Sequence, residues 1–165
     1  MGVLVRQTVP AAFMLLACLV PQVAALDESA VVRKIIESKN AKVEEYYRTG
    51  DIDGLSLLFA PDARQYPNHM PPLVGREAIR TFWTQAVASG QWLFSLRTET
   101  VVARADLAIE RGAYTLSFTP RQGAVAAAPA FDDRGSYLVH WRKAGKDWLI
   151  VADCPSSETP LPSTR

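Results

Sequence analysis

Hydrophobic residues in the first half of the chain recur at the spacing of an amphipathic helix in two places. In residues 27–49 they are Val32, Ile35, Ile36, Val43, Tyr46 and Tyr47. In residues 76–89 they are Ile79, Phe82, Trp83, Ala86 and Val87. Asp27 or Ser29 can cap the first predicted helix, and Gly50 and Gly90 suit the ends of the two helices. The pattern therefore predicts two long helices, each with one apolar face.

The segment between these helices predicts a short helix, a short strand and an irregular loop. Asp51 can cap the short helix, and Pro61 is expected to end it, because proline disfavours helical geometry in the residue before it. The inner face of this helix would be Leu55, Leu58 and Phe59. Residues 63–66 favour a strand, and the three prolines within residues 67–72 predict an irregular loop.

After Gly90 the hydrophobic period changes to two, the alternation of a half-buried strand. The predicted strands are residues 92–103, 108–118, 137–142 and 148–154. The Ala- and Pro-rich residues 124–130 are expected to form a mobile loop. No helical pattern separates the strands, which excludes a parallel doubly wound sheet and indicates antiparallel pairing.

The predicted fold class is α+β, with the element order α-α-β-α-β-β-β-β. The helices would line one face of a curved antiparallel sheet and close a cone around a pocket for a small apolar molecule. The other face could pack against a second subunit, so we expect a homodimer. The domain would span residues 26–155, and residues 156–165, rich in Pro, Ser and Thr, would form a disordered tail.

Residues 1–25 have the pattern of a secretory signal peptide. Arg6 is their one charged side chain, a short apolar run follows, and small residues precede the expected cleavage after Ala25. The segment lacks the amphipathic stripe that a buried N-terminal helix would need. An alternative is a lipoprotein signal cut before Cys18, which would leave the mature chain anchored by lipid. We therefore expect an exported protein, periplasmic or secreted.

Composition excludes several classes of function. Removing the leader takes away one of 18 basic residues and leaves 17 against 17 acidic ones, without a basic stripe that would indicate nucleic-acid binding. Cys154 would be the only remaining thiol, so no internal disulfide could form. No other apolar run is long enough to cross a membrane.

Asp153 is the strongest candidate for a functional acid. It lies in an otherwise apolar predicted strand, where a carboxylate is costly unless it is hydrogen-bonded. A satisfied structural carboxylate is the alternative interpretation. The aromatic residues Tyr47, Trp83, Trp92 and Trp141 are candidates for lining a ligand cavity, or for plain core packing.

The other polar candidates favour structural roles. Asp62 is expected to cap or bridge the junction of short helix and strand, and His69 to lie in an exposed loop at the pocket rim. His140 alternates with the inward positions and should face away from the pocket. The two histidines lack metal-ligand spacing, so we expect no metal and no cofactor. Cys154 has no activating neighbour in the sequence.

Five motifs resemble the nuclear-transport-factor-2-like superfamily, which includes steroid delta-isomerases and SnoaL-like polyketide cyclases. They are residues 47–51 (YRTGD), 59–63 (FAPDA), 71–83 (PPLVGREAIRTFW), 134–141 (RGSYLVHW) and 147–153 (DWLIVAD). The closest resemblance is to the bacterial ketosteroid isomerase homologues, over nearly all of residues 34–157. It implies the cone-shaped fold but no particular activity, because this fold hosts enzymes, adaptors and binding modules.

The resemblance argues against steroid isomerisation itself. The base of such enzymes would fall at Tyr66–Pro67, the first-helix tyrosine near Val43, and the neutral acid near Ser136–Tyr137. None of these three groups is kept, although Tyr137 could still donate a hydrogen bond.

Three functions remain open: a small-molecule-binding domain, an enzyme that moves protons on a small hydrophobic substrate, and a homodimeric interaction module. The candidate proton carriers are Asp153, Tyr137, Tyr66 and His69. The expected ligand-binding residues are Tyr47, Tyr66, Trp83, Trp92, Tyr137, Trp141 and Asp153. If Asp153 were consumed by backbone donors or an arginine, plain binding would be favoured.

Overall fold

The computed structural model describes residues 12–123 and 129–159, and the side chains of the first helix from Glu28 onward. The helices are α1 (Ala12–Thr49), α2 (Ile52–Ser56) and α3 (Arg76–Ser89). The strands are β1 (Phe59–Gln65), β2 (Leu73–Val74), β3 (Gly90–Arg104), β4 (Leu107–Pro120), β5 (Phe131–Ala144) and β6 (Asp147–Ser157). This arrangement confirms the predicted α+β class. Residues 124–128 of the predicted mobile loop lie outside the described residues.

The strands form one six-stranded sheet in the order β2-β1-β6-β5-β4-β3. Strands β3 to β6 pair as antiparallel neighbours, as the alternation predicted. Strand β1 joins the sheet parallel to β6. Helix α1 lies against β3, where the Arg33 guanidinium donates hydrogen bonds to the backbone carbonyls of Thr98 and Glu99, both at 2.9 Å.

Several element boundaries differ from the predicted ones, and among the strands the largest difference is in β5, which begins at Phe131 rather than at residue 137. Helix α2 ends at Ser56, and Phe59 and Pro61 belong to strand β1, so Pro61 does not end the helix. The cause is pairing with β6. The Ile150 amide donates a hydrogen bond to the Leu58 carbonyl at 2.9 Å, so the residues after Ser56 pair with β6 and do not continue the helix. At the other end, β6 continues through Ser157, two residues past the predicted domain boundary, and pairs there with β5.

Helix α1 contains much of the segment predicted as a signal peptide, because it begins at Ala12. Both the apolar region of a signal peptide and the start of a mature domain can be helical, so cleavage after Ala25 stays a prediction. Within residues 12–123 and 129–159, no helix combines the length and hydropathy that crossing a membrane requires.

The core lies between the helices and the concave face of the sheet. Helix α3 buries Ile79 and Trp83, and strand β4 turns every second residue inward along its length. The inward positions of β4 are Ala108, Glu110, Gly112, Tyr114, Leu116 and Phe118. The helices do not fill this concave face, and the space they leave is the candidate site.

Candidate ligand-binding site

A cavity of about 530 Å³ lies between α1, α3 and the sheet. This volume is typical of pockets that bind small molecules. Its aromatic lining includes Tyr47, Phe82, Trp83, Trp92, Phe94 and Phe131. The Tyr47 ring lies 4.6 Å from that of Trp83 and 4.4 Å from that of Phe94, measured between ring centroids. Such packed, mostly edge-on aromatic rings make a preformed apolar surface.

Asp153 places a carboxylate in this apolar wall. Its Oδ2 accepts a hydrogen bond from Gln65 Nε2 at 2.8 Å, and Gln65 Oε1 accepts one from Trp83 Nε1 at 2.7 Å. No other side chain or backbone amide in the described part of the chain donates to this carboxylate, so Oδ1 remains open toward the cavity. Backbone donors or an arginine therefore do not consume Asp153.

The surroundings of Asp153 disfavour its charged form. Burial raises the pKa of Asp153 to about 6, with a smaller contribution in the same direction from the Glu110 carboxylate. The hydrogen bond from Gln65 partly opposes this rise. A carboxyl group with such a pKa can exchange a proton near neutral pH.

A second carboxylate, Glu110, lies fully buried behind the cavity wall. Its Oε1 accepts hydrogen bonds from Asn40 Nδ2 at 2.7 Å, Thr98 Oγ1 at 2.7 Å and the Tyr137 hydroxyl at 2.8 Å. Its Oε2 accepts one from Trp141 Nε1 at 3.0 Å. These four donors come from α1, β3 and β5, so the carboxylate links a helix to the sheet.

The two carboxylates share one row across the sheet. In the strand register Glu110 lies opposite Val139, Val139 opposite Asp153, and Asp153 opposite Gln65. Residues in one row point to the same face, and neighbouring strands lie about 4.8 Å apart. The two acidic residues are therefore separated by roughly 10 Å at their backbones. This placement explains why Glu110 contributes to the raised pKa of Asp153.

Two tyrosines near these carboxylates keep their protons. Burial, then the charge of Asp153, raises the pKa of Tyr47 well above its ordinary value, against a hydrogen bond with Gln65. Burial and the charge of Glu110 likewise raise the pKa of Tyr137. Both hydroxyls therefore stay protonated and do not act as bases, and that of Tyr137 donates a hydrogen bond to Glu110.

A polar network lies at the mouth of the cavity. The Tyr114 hydroxyl donates to Asp133 at 2.7 Å and accepts from Asn68 at 3.0 Å. Ser157 and Thr159 also donate to Asp133, at 2.6 Å and 2.8 Å. Partial burial acts to raise the pKa of Asp133, but these donors outweigh it and the net pKa is lowered. Asp133 is thus held as a carboxylate at the entrance.

Six of the seven predicted ligand-binding residues line the cavity, and their role in binding stays a prediction. They are Tyr47, Trp83, Trp92, Tyr137, Trp141 and Asp153. The placement of Tyr66 was wrong: its side chain is 38% exposed and does not line the cavity. Strand alternation is the reason, because Gln65 takes the inward position and Tyr66 uses its amide to bond the Asp153 carbonyl at 2.9 Å.

The remaining candidates take peripheral positions. His69 is exposed and contributes to the mouth of the cavity. Asp62 lies outside the cavity and bridges β1 to β5 by accepting hydrogen bonds from Arg142 at 2.6 Å and 3.2 Å. His140 does not line the cavity. Within the described ranges, no group of three or more His, Cys, Asp or Glu side chains could hold a metal ion.

Comparison with known proteins places this geometry in a family. The SnoaL-like domain family matches residues 42–148, a segment that contains α2, α3, β1 to β5 and the C-terminal part of α1. The chain belongs to the SnoaL-like domain family. It is therefore nuclear-transport-factor-2-like, as the resemblance of its motifs implied. No curated protein matches the sequence.

Solved structures share the fold of this SnoaL-like chain at low identity. A conserved protein from Planctomyces limnophilus is 19% identical with a TM-score of 0.67, over 77% of this chain and 99% of the other. A ketosteroid isomerase-like protein from Erwinia carotovora is 19% identical with a TM-score of 0.65, over 77% and 96%. A proposed dehydratase of the NTF2-like family from Streptomyces avermitilis is 16% identical with a TM-score of 0.64, over 77% and 97%. These identities establish the fold alone.

The polar groups of this SnoaL-like cavity were only partly visible in the sequence. Asp153 was identified, whereas Gln65, Glu110 and Asn40 were missed. Glu110 did carry a signal, because it shares the alternation of Ala108, Gly112 and Tyr114 and so had to point inward. Gln65 meets Asp153 through the parallel β1–β6 pair across 88 residues, and no local pattern reports such a contact.

Proposed function

We propose that this SnoaL-like domain binds a small hydrophobic molecule in the cavity, with Asp153 as its main polar contact. The main support for this proposal is the cavity of about 530 Å³, whose wall is apolar except for a few polar groups. Oδ1 of Asp153 accepts no hydrogen bond from the described residues, which supports a directed contact, because a ligand that carries a donor can form a new hydrogen bond there.

Native mass spectrometry of the protein purified from its own host tests this proposal. We expect a retained compound on the wild-type protein and its loss from Leu116→Trp, which fills the cavity from β4. Leu57→Trp is the matched control, because Leu57 is 64% exposed and does not line the cavity. Thermal unfolding should verify that both variants fold. Equal occupancy in wild type and Leu116→Trp would contradict the proposal.

A second candidate is an enzyme that moves a proton on the same class of ligand, as an isomerase, cyclase or dehydratase does. The pKa of Asp153 near 6 and its open oxygen favour it, because a general base needs both a suitable pKa and access to the reacting atom. In this candidate Asp153 takes a proton from carbon and returns it, while Tyr47 remains protonated.

Deuterium exchange distinguishes this enzyme from a passive binder. The retained compound is incubated with the protein in heavy water, and its carbon-bound hydrogens are followed by NMR. We expect exchange with wild type and at least a hundredfold slower exchange with Asp153→Asn, since a positioned base contributes about that much. Exchange at equal rates would exclude Asp153 as the base.

We also propose that the mature protein is exported and dimeric. The pattern of residues 1–25 supports export, with lipid attachment at Cys18 as the alternative. Leu93 and Leu138 support a dimer, because both lie on the outer face of the sheet and are 41% and 46% exposed. The intact mass of the protein purified from its host shows whether residues 1–25 are removed or Cys18 carries lipid.

Sedimentation velocity measures whether the protein is a dimer, and we expect Leu138→Glu to yield monomers.

A further inference from the structure

We propose that the cavity selects a positively charged hydrophobic ligand, an amine whose ammonium group pairs with Asp153. This inference rests on the proposed binding function and names the chemical class of its ligand. It follows from the charges that line the cavity, from the open side of Asp153 and from the aromatic rings beside it.

The ionisable groups that line the cavity are almost all acidic. Asp132, Asp133 and Asp153 contribute carboxylates, and His69 at the mouth is the one basic side chain among the described lining residues. A fatty acid, a phosphate ester or another anion would meet the carboxylates of Asp132 and Asp133 and, deeper in the cavity, that of Asp153. The lining therefore disfavours anionic ligands and attracts cations.

One oxygen of Asp153 lacks a hydrogen-bond donor within the described ranges, and a neutral apolar ligand would not supply one. Gln65 occupies Oδ2, and Oδ1 faces the cavity without a donor from the described residues. A ligand that displaces water from this site would leave an ionised oxygen without a partner, which is costly in an apolar surrounding. An ammonium group supplies both N–H donors and the opposite charge.

The rings beside Asp153 suit the same cation. Trp83 is linked to Asp153 through Gln65 by two successive hydrogen bonds, so its ring and the carboxylate border one space. Tyr47 and Phe94 pack against Trp83 with centroid distances of 4.6 Å and 6.0 Å. Aromatic rings attract ammonium groups within about 6 Å, and more strongly where water is excluded. Carboxylate and rings together form a site for a cation with an apolar body.

A matched set of probes tests the charge preference directly. Naphthylmethylamine, naphthylmethanol and naphthalene carboxylate share one apolar body and carry positive, zero and negative charge. By isothermal titration calorimetry at pH 7.5, we expect the amine to bind at least tenfold more tightly than the alcohol, with the carboxylate weakest.

Two isosteric variants locate the origin of this preference. We expect Asp153→Asn to reduce amine affinity to that of the alcohol and to leave alcohol affinity unchanged. Asp62→Asn is the matched control: it removes the same charge outside the cavity, where Asp62 pairs with Arg142. It should retain the full preference for the amine.

The pH dependence gives an independent readout. The ionisable groups around Asp153 are Tyr47 from α1, Glu110 from β4, Tyr137 from β5 and the neighbouring Cys154, whose thiol pKa is raised by burial and by Asp153. Strand β1 and helix α3 contribute the uncharged Gln65 and Trp83. Both tyrosines stay protonated near neutral pH. Amine affinity should therefore fall about tenfold between pH 7.5 and pH 5 as Asp153 gains a proton, while alcohol affinity stays constant.

These experiments distinguish a failure of the cation proposal from a failure of the proposed binding function. Equal affinity for amine and alcohol, or an amine preference that survives Asp153→Asn, would overturn the cation proposal and leave the binding function standing. Failure of all three probes to bind would overturn both.

Discussion

The surroundings of Glu110 and Asp153 differ although the two residues lie in one row of the same sheet. Glu110 is fully buried and accepts four hydrogen bonds from Asn40, Thr98, Tyr137 and Trp141. Asp153 accepts one from Gln65 and faces an open cavity. A carboxylate whose acceptors are occupied holds structure together, whereas one with an open oxygen is available to a ligand.

Removing each carboxylate in turn is the strongest test of this difference between Glu110 and Asp153. Glu110→Ala should lower the free energy of unfolding by about 3–5 kcal/mol, because it leaves several buried donors without an acceptor. Asp153→Ala should lower it far less or leave it unchanged, since only Gln65 loses a partner and the cost of the Asp153 charge is removed at the same time. Urea unfolding measures both.

Glu110→Gln serves as the conservative control for the larger effect. It keeps the shape and one acceptor oxygen, so it should lose less stability than Glu110→Ala. Equal stabilities of Glu110→Ala and Asp153→Ala would show that the two carboxylates do not differ as described.

The second effect is the pH dependence contributed by Asp153. A folded-state pKa near 6, against an ordinary value of 3.8, means that the folded state binds this proton more tightly. The stability that Asp153 contributes is therefore fully present below about pH 4 and is lost as pH rises through 6. The loss amounts to at most about 3 kcal/mol, because solvent in the cavity reduces the cost of the charge.

The difference between wild type and Asp153→Asn isolates this dependence from other carboxyl groups. Urea unfolding at pH 4 and at pH 7.5 should show Asp153→Asn gaining stability relative to wild type at the higher pH. A difference that is constant across this range would mean that the pKa of Asp153 is not raised.

The smallest expected effect concerns Tyr137, which borders both regions. Tyr137→Phe removes one of the four donors to Glu110 and should cost about 1 kcal/mol in the free energy of unfolding. Ligand affinity should change less than twofold, because the hydroxyl already donates its hydrogen bond to Glu110. A loss of affinity without a loss of stability would instead place this hydroxyl on the ligand.

The hydrophobic pattern predicted the fold where local spacing decides it. Helix α3 was predicted with its observed bounds, and strands β3 to β6 were predicted as antiparallel strands. The pattern was wrong at Phe59, whose helical spacing is overridden by pairing with Ile150 of β6. It also did not reveal strand β2, since two residues are too few for a period.

The candidate site was predictable only as far as single strands allow. An acid in an apolar strand drew attention to Asp153, and aromatic content indicated the wall. The partners of Asp153 depend on how distant strands align, and that alignment is not encoded in either strand alone. The same limit explains why Tyr66 was wrongly placed in the cavity. Whether Gln65 or Tyr66 faces inward depends on how β1 aligns with β6.

Gly112 has a consequence for the natural variation of this domain. It lies opposite Tyr137 in the register, and a β-carbon added there would collide with the tyrosine ring and with the Arg97 carbonyl. Only a residue without a side chain lets that ring lie across β4 and reach Glu110. Homologous chains should therefore inherit the pair together: where position 112 acquires even a methyl group, position 137 should no longer be a tyrosine.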